Sequence, residues 1–476
     1  MDIKSKTVSN MIWRFAERSA AQIVSFIVSI VLARLISPKE YGSITLIMVF
    51  TSILQVFVDS GMGNALIQKK DSDDLDFSSV FYFNFIICII LYSLMFVIAP
   101  FIGDFYEDSS LVSLTRVISL TLIISGVKGI QQAYVSKHLL FKRFFYSTLG
   151  GTLFSAIIGI TMAYMGFGCW ALVAQQLSNA TIDTLILWLT VTWRPKLIFS
   201  FERLKRLFSY GWKLLVSSLF DVGYNNLRNL IIGKIYSPAD LAYYNKGQQF
   251  PSLIVTNINT SIDSVLLPVM AAAQDDTIVV KSMTRKSIKM SSYIMWPLMV
   301  GLSVCAKPLV IVLLTERWLD SVFFLRIFCF TYVLWPIHTA NLNAIKAMGR
   351  SDEFLKLEII KKSIGVISIL IAMPFGVHIM AIAYLITGPI SAVINAFPNK
   401  RLLDYSFKEQ IEDLVPYIGL SLAMGLIIWP IQYLPIVNIA IIILQVLSGA
   451  MIYVIGSRIF RIDMFFELLN MMRRKK

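Results

Sequence analysis

Runs of about twenty apolar residues recur along the whole of this chain, each long enough to cross a hydrocarbon core of about 30 Å as a helix. In order, they fall near 11–36, 43–67, 78–103, 111–135, 144–166, 169–191, 207–235, 241–270, 289–314, 322–346, 357–376, 378–398, 412–431 and 436–457. A soluble fold of 476 residues has no interior that could bury a composition 57% hydrophobic with mean hydropathy +0.70. The expectation is an all-α polytopic membrane protein with about 14 transmembrane helices. The pairs 144–166/169–191 and 357–376/378–398 are separated by very tight turns and read as helical hairpins.

Charge orients the spans. The even-numbered loops and the tail hold Lys69, Lys70, Lys137, Lys142, Arg143, Arg194, Lys196, Arg203, Lys205, Arg206, Lys281, Arg285, Lys286 and Lys289, with more of the same beyond, down to Arg473–Lys476. The odd-numbered loops hold essentially Lys39 and Arg317. The positive-inside rule then makes both termini cytoplasmic and explains the formal charge of +14 without nucleic acid. The first twenty residues have no clean apolar signal region, so the first helix is expected to serve as its own insertion signal. Cys88, Cys169, Cys305 and Cys329 lie in apolar segments at no metal-like or redox-like spacing and read as packing residues.

A repeat divides the spans. Ala33-Arg34-Leu35-Ile36-Ser37-Pro38-Lys39-Glu40-Tyr41-Gly42 matches Gly233-Lys234-Ile235-Tyr236-Ser237-Pro238-Ala239-Asp240-Leu241-Ala242 at an offset of 200 residues, with basic, Ser-Pro and acidic positions coinciding. Trp13-Arg14 corresponds to Trp212-Lys213, and Asp59-Ser60 to Asp263-Ser264, with small slips. The expected organisation is an N-terminal six-helix lobe (1–193), a basic cytoplasmic linker (194–206), a C-terminal six-helix lobe (207–398), and two extra helices with a basic tail (399–476). Both lobes begin on the same side, so the repeats are parallel, a form associated with alternating access in transporters. The linker reads as a basic amphipathic segment lying on the anionic inner leaflet.

Charge also occurs where lipid should exclude it. Lys213, Ser217, Asp221, Asn225 and Arg228 stand at i, i+4, i+8, i+12 and i+15, one stripe on an otherwise apolar helix. The next helix carries Lys246, Gln248, Gln249, Asn257, Asn259 and Asp263, the first carries Arg14, Glu17 and Arg18, and the second Thr51, Gln55 and Asp59. An isolated charge at mid-bilayer costs about 2.5–3.5 kcal/mol on the lenient scale, so these residues are expected to pair or face water. The substrate-binding candidates are Arg14, Arg18, Lys213, Arg228, Lys246, Asn225 and Gln249. The ion-coupling candidates are Glu17, Asp59, Asp221 and Asp263, with H+ or Na+ as the ion. Snorkelling is the competing reading for Arg14, Arg18 and Lys246, and structural pairing for Lys213 with Asp221. Asp221 and Arg228 are the hardest to dismiss in these ways, because both sit well inside a span. Arg and Lys suit phosphate or pyrophosphate, whereas a cavity for organic cations should carry acids and aromatics.

Chemistry of other kinds finds little footing. No GxxxxGK[ST] occurs, so hydrolysis of ATP by this chain is not expected. Asp71-Ser72-Asp73-Asp74 contains a D-x-D but no nucleotide-sugar fold surrounds it, and it reads as a solvated acidic loop. His138, His338 and His378 are scattered. No catalytic residue, cofactor or metal site is expected, and the chain reads as a non-enzyme.

The run Trp13-Arg14-Phe15, the segment Ala33 to Gly42, Asp59-Ser60-Gly61 and Asn64-Ala65-Leu66-Ile67-Gln68 together resemble the Wzx-type polysaccharide flippases, in the branch of colanic-acid and teichuronic-acid exporters within the multidrug/oligosaccharidyl-lipid/polysaccharide transporter superfamily. The resemblance implies a two-lobed fold with a central cavity lined by helices 1, 2, 7 and 8. It implies transfer of undecaprenyl-diphosphate-linked oligosaccharide repeat units from the inner to the outer leaflet of a bacterial cytoplasmic membrane, serving exopolysaccharide or lipopolysaccharide synthesis. It admits contact with polysaccharide polymerase machinery. Two alternatives stand beside it. One is a multidrug/organic-cation antiporter of the same superfamily. The other is a membrane polysaccharide polymerase or ligase, which should carry a sizeable outer loop that this chain lacks.

Overall fold

The computed structural model describes residues 3–59 and 61–474, and it is all-helical over them. The Arg14 and Ser264 side chains, Ser60 and the tail side chains from Arg473 onward lie outside the described residues. The chain divides into two compact units, Met1–Ala242 and Tyr243–Lys476.

The first unit holds α1 (Ile3–Leu35), α2 (Pro38–Asp59), α3 (Met62–Gln68), α4 (Asp74–Phe105), α5 (Ser110–Ile118), α6 (Leu120–Lys137), α7 (Phe141–Tyr164), α8 (Cys169–Thr190), α9 (Phe201–Ile235) and the first turn of α10 (Pro238–Ala272). The second holds the rest of α10, then α11 (Thr277–Leu314), α12 (Ser321–Tyr332), α13 (Trp335–Ala347), α14 (Ser351–Ala372), α15 (Val377–Leu402), α16 (Phe407–Ile428), α17 (Asn438–Ile459) and α18 (Asp463–Arg474). Each of the fourteen expected spans corresponds to one helix or to a broken pair, α2–α3, α5–α6 and α12–α13 being the pairs.

Ten of these segments are long and apolar enough to cross a membrane among the described residues. The other four, α8, α9, α10 and α14, carry polar and charged residues. In α14 the charged residues gather in the first half, whereas in α9 they lie along one stripe, and a helix polar on one side crosses lipid only with that side turned to protein or water.

Local chemistry sets the helix starts. Ser37 and Glu40 form a reciprocal cap at α2: the Ser37 hydroxyl and backbone N–H donate to Glu40 Oε2 at 2.7 and 3.2 Å, and the Glu40 N–H donates back to the hydroxyl. Ser237 and Asp240 repeat this at α10, again at 2.7 and 3.2 Å. Proline at the first helical position loses no bond in either place. The repeated sequence thus folds twice into the same corner.

In the first unit α7 packs on α8 and α1. Ser147, Gly151, Ser155, Gly159 and Ala163, at four-residue steps, are all buried, and Gly151 and Gly159 abut Asp183 and Gln175 of α8. Small residues in this pattern let helix backbones approach where lipid offers no hydrophobic drive.

Helix α9 lies along α2 and α3. At Gly61 (φ 68°) the chain turns from α2 into α3, and a β-carbon there would stand 2.6 Å from the Gly211 carbonyl oxygen of α9. Asn226 Nδ2 donates to Ser52 Oγ at 3.3 Å, and Gly233 accommodates Leu46. The linker 194–206 is fastened to the start of α4: the Lys196 and Ser200 N–H groups donate to Ser78 and Ser79 hydroxyls at 3.0 and 2.9 Å.

In the second unit α11, bearing Pro297 and Pro308, packs against α12, α13, α16 and α17. A buried amide network ties α13, α15 and α16. Asn341 Nδ2 donates to Gln410 Oε1 at 2.8 Å, and Asn399 Nδ2 donates to Asn341 Oδ1 at 2.7 Å. The amides supply one another's partners away from water, a requirement for burying them.

Candidate functional site

Helix α9 presents the stripe expected from its sequence. Lys213, Ser217, Asp221 and Asn225 are all exposed and Arg228 is half-buried. Gly211, Asn226 and Gly233, which meet α2 and α3, fall on another face. Within its unit α9 therefore buries one side and offers Lys, Ser, Asp and Asn, at four-residue steps, on the other. Arg18 of α1 is exposed as well.

Glu17 and Asp59 line one cavity of 360 Å³ inside the first unit, together with Asn64, Asn84 and Gln132. Glu17 is buried and accepts from the Thr148 hydroxyl at 3.2 Å. Asp59 accepts from Gln55 Nε2 at 3.2 Å, the i+4 partner its spacing indicated. Asn84 Nδ2 donates to the Val58 carbonyl at 3.4 Å. Beyond these, Lys128 of α6 and Asp183 of α8 form an ion pair of 2.9 Å with both side chains largely enclosed. Asp183 lies 55 residues from Lys128 in the chain, a partnership invisible to spacing. Asn84 is marked in the sequence as a lone amide in the apolar run of α4.

In the second unit Lys246 is buried; its Nζ donates to Gln249 Oε1 at 3.1 Å and stands 5.9 Å from the centre of the Trp318 ring. Gly247, next to it, lets α10 approach the backbone of α12 at Ser321 and Leu325. Asp263, exposed at the far end of α10, accepts from Asn343 Nδ2 of α13 at 2.5 Å. The structure thus brings Lys246 to Gln249 and Glu17 to Asp59, and it aligns Lys213, Asp221 and Asn225.

At the charged end of the first unit, the acidic loop 71–76 is structural. Asp73 caps α4 in a reciprocal box with Asp76, Trp193 Nε1 donates to Asp74 at 3.1 Å, and Arg203 bridges Asp73 and Asp76 at 2.8 and 3.3 Å. Burial works against ionisation of Asp73, but the Asp76 N–H and the Arg203 guanidinium outweigh it and hold the carboxyl below the usual range.

These features define a multi-pass membrane protein built of helices, with ionic and amide side chains on particular faces of α1, α2, α9 and α10. Comparison with known proteins gives the family. The model of a family described as polysaccharide biosynthesis protein matches residues 31–323, and the chain belongs to that family. It is 24% identical to the teichuronic acid biosynthesis protein TuaB of Bacillus subtilis over 74% of this chain and 73% of that protein. It is 23% identical to the lipopolysaccharide biosynthesis protein WzxC of Escherichia coli over 90% of this chain and 89% of that one. Among solved structures, the lipid II flippase MurJ superposes with a TM-score of 0.76 at 17% identity, over 95% of this chain and 99% of that one. A multidrug MATE transporter follows at 0.64 and 15%, over 81% and 94%. The fold is that of these transporters.

Proposed function

We propose that this protein carries undecaprenyl-diphosphate-linked oligosaccharide repeat units from the inner to the outer leaflet of a bacterial cytoplasmic membrane, with both termini cytoplasmic and without enzymatic activity. The observation that carries the reading is the exposed stripe on α9: a helix in a membrane chain that shows Lys213, Ser217, Asp221 and Asn225 on its open side requires water or a polar cargo there. The named relatives act in teichuronic acid and lipopolysaccharide biosynthesis, and the fold is shared with a lipid II flippase; both support a lipid-linked saccharide as cargo.

Arg228, Lys213, Arg18 and Arg14, all of the first unit, then bind the diphosphate, Arg through its fork. Asn225 and Gln249 meet the glycan. The prenyl tail stays in lipid. Glu17, Asp59, Asp221 and Asp263 are the groups that would exchange H+ or Na+. The membrane potential is a second driving force: outward movement of a doubly negative group is favoured by about 4.6 kcal/mol per 100 mV, inside negative. Multidrug export, the activity named for the MATE neighbour, fits the fold equally, but export of organic cations does not fit the excess of Lys and Arg over acids among the candidates of the first unit.

Binding tests this directly. Purified protein in nanodiscs should bind a polyprenyl diphosphate oligosaccharide, and Lys213→Gln with Arg228→Gln should weaken it about tenfold or more. Binding of a polyprenyl alcohol oligosaccharide with equal affinity, unaffected by both changes, contradicts a diphosphate site.

A further inference from the structure

A basic pocket lies apart from these residues, at the linker end of the first unit. It is a hollow of 600 Å³ between the end of α3 and the start of α9, lined by Ala65, Gln68, Lys69, Arg203, Arg206 and Leu207. We propose that it binds the phosphate of an anionic phospholipid of the inner leaflet.

The pocket has the right donors. Lys69 Nζ and Arg203 Nη1 both bond the buried Asp76, at 2.5 and 3.3 Å, which holds the two cations side by side. Arg203 contacts its acids through Nη1, and no hydrogen bond from its Nε or Nη2 exists among the described residues. Arg206 reaches Glu202 through Nη2 in a pair exposed on both sides, which is readily exchanged for a stronger anion. Lys137 is committed elsewhere: its Nζ caps the Leu66 and Lys69 carbonyls and bonds Ser72, so it fixes the rim rather than facing a ligand. A fork of guanidinium donors with a neighbouring ammonium is the chemistry that recognises phosphate.

The surroundings point to a lipid as the source. Leu197, Phe199 and Phe201, in the linker immediately before the pocket's arginines, are exposed at 94%, 52% and 70%. Apolar side chains exposed beside basic ones are the pattern of a segment that lies in the headgroup boundary. Ala65 and Leu207 give the hollow an apolar wall, suited to the first carbons of a lipid rather than to a free anion. The site rests on none of the residues assigned to the cargo; only its leaflet rests on the orientation proposed above.

The test is native mass spectrometry of the purified full chain, with phosphatidylglycerol or phosphatidylcholine added, on wild type, Arg203→Gln, Arg206→Gln and Lys408→Gln. Arg206→Gln removes only an exposed pair and should fold normally; Lys408→Gln removes the same charge from an exposed pair in the other unit. Wild type and Lys408→Gln should retain one phosphatidylglycerol in preference to phosphatidylcholine, with affinity falling about tenfold in Arg206→Gln and further in Arg203→Gln. Equal retention of the two lipids, or an equal loss in Lys408→Gln, overturns the site. Inorganic pyrophosphate should compete poorly; displacement of the lipid at equal concentration would make the ligand a free anion and overturn the lipid assignment.

Discussion

Gly42 of α2 stands against the backbone carbonyl of Pro238, at the start of α10, with no space for a β-carbon between them. The two residues belong to the two copies of the repeated corner, Ser37-Pro38 and Ser237-Pro238. The corners are therefore alike in their caps and also packed on one another. Gly233, of the second copy, in turn accepts Leu46 from the helix that follows the first.

Gly42→Ala should consequently lower stability by about 1–3 kcal/mol, because backbone, not a flexible side-chain tip, must move. Gly63→Ala, where the nearest neighbour is the Ala133 methyl at 3.9 Å, is the control. Thermal unfolding in detergent measures both, and equal midpoints would show that the corners are not in contact.

The two caps should be equivalent. Ser37→Ala and Ser237→Ala each remove a hydroxyl that accepts from the N3 backbone and donates to the N3 carboxylate, and each should cost about 1 kcal/mol. Denaturant titration of the two variants should give midpoints shifted alike.

Lys128 and Asp183 should behave as a pair. Lys128→Met leaves Asp183 enclosed without its counter-ion and should cost about 3 kcal/mol; Lys128→Met with Asp183→Leu should recover most of that. The readout is the unfolding midpoint of the two single changes and the double change, and simple additivity would refute the coupling.

Acid should release the linker. Asp73 has its carboxyl held below the ordinary range, so its tie to Arg203 is complete above the unfolded value of about 3.9 and is lost as pH falls below it. Protection factors over residues 196–204, corrected for the intrinsic pH dependence of amide exchange, should stay level from about pH 8 to 5 and fall only below about 3.9. A fall near neutrality would contradict this.

Much of this molecule is legible in one sequence because lipid admits so few folds. Ten of the fourteen expected spans follow from apolar length among the described residues, and the break between α12 and α13 was hidden because apolar residues, Val333 and Leu334, continue through it. The stripe from Lys213 to Arg228 followed from spacing alone, since a four-residue step allows one geometry. Which unit α9 joins could not be read. The linker 194–206 marks a change in composition, whereas α9 lies along α2 through Gly211, Asn226 and Gly233, and the first compact unit extends to Ala242. Contacts made by glycines leave no hydrophobic pattern. Partners remote in the chain, Thr148 for Glu17, Asp183 for Lys128 and Asn343 for Asp263, were equally out of reach.

The central claim is best tested by transbilayer movement of a fluorescent polyprenyl-diphosphate oligosaccharide in liposomes containing the purified protein, with Arg228→Gln beside wild type. The account predicts that wild type moves the lipid, faster under an outward-driving potential, and that Arg228→Gln slows it about tenfold or more. Movement of organic cations but of no diphosphate lipid, with Arg228→Gln unimpaired, would contradict it.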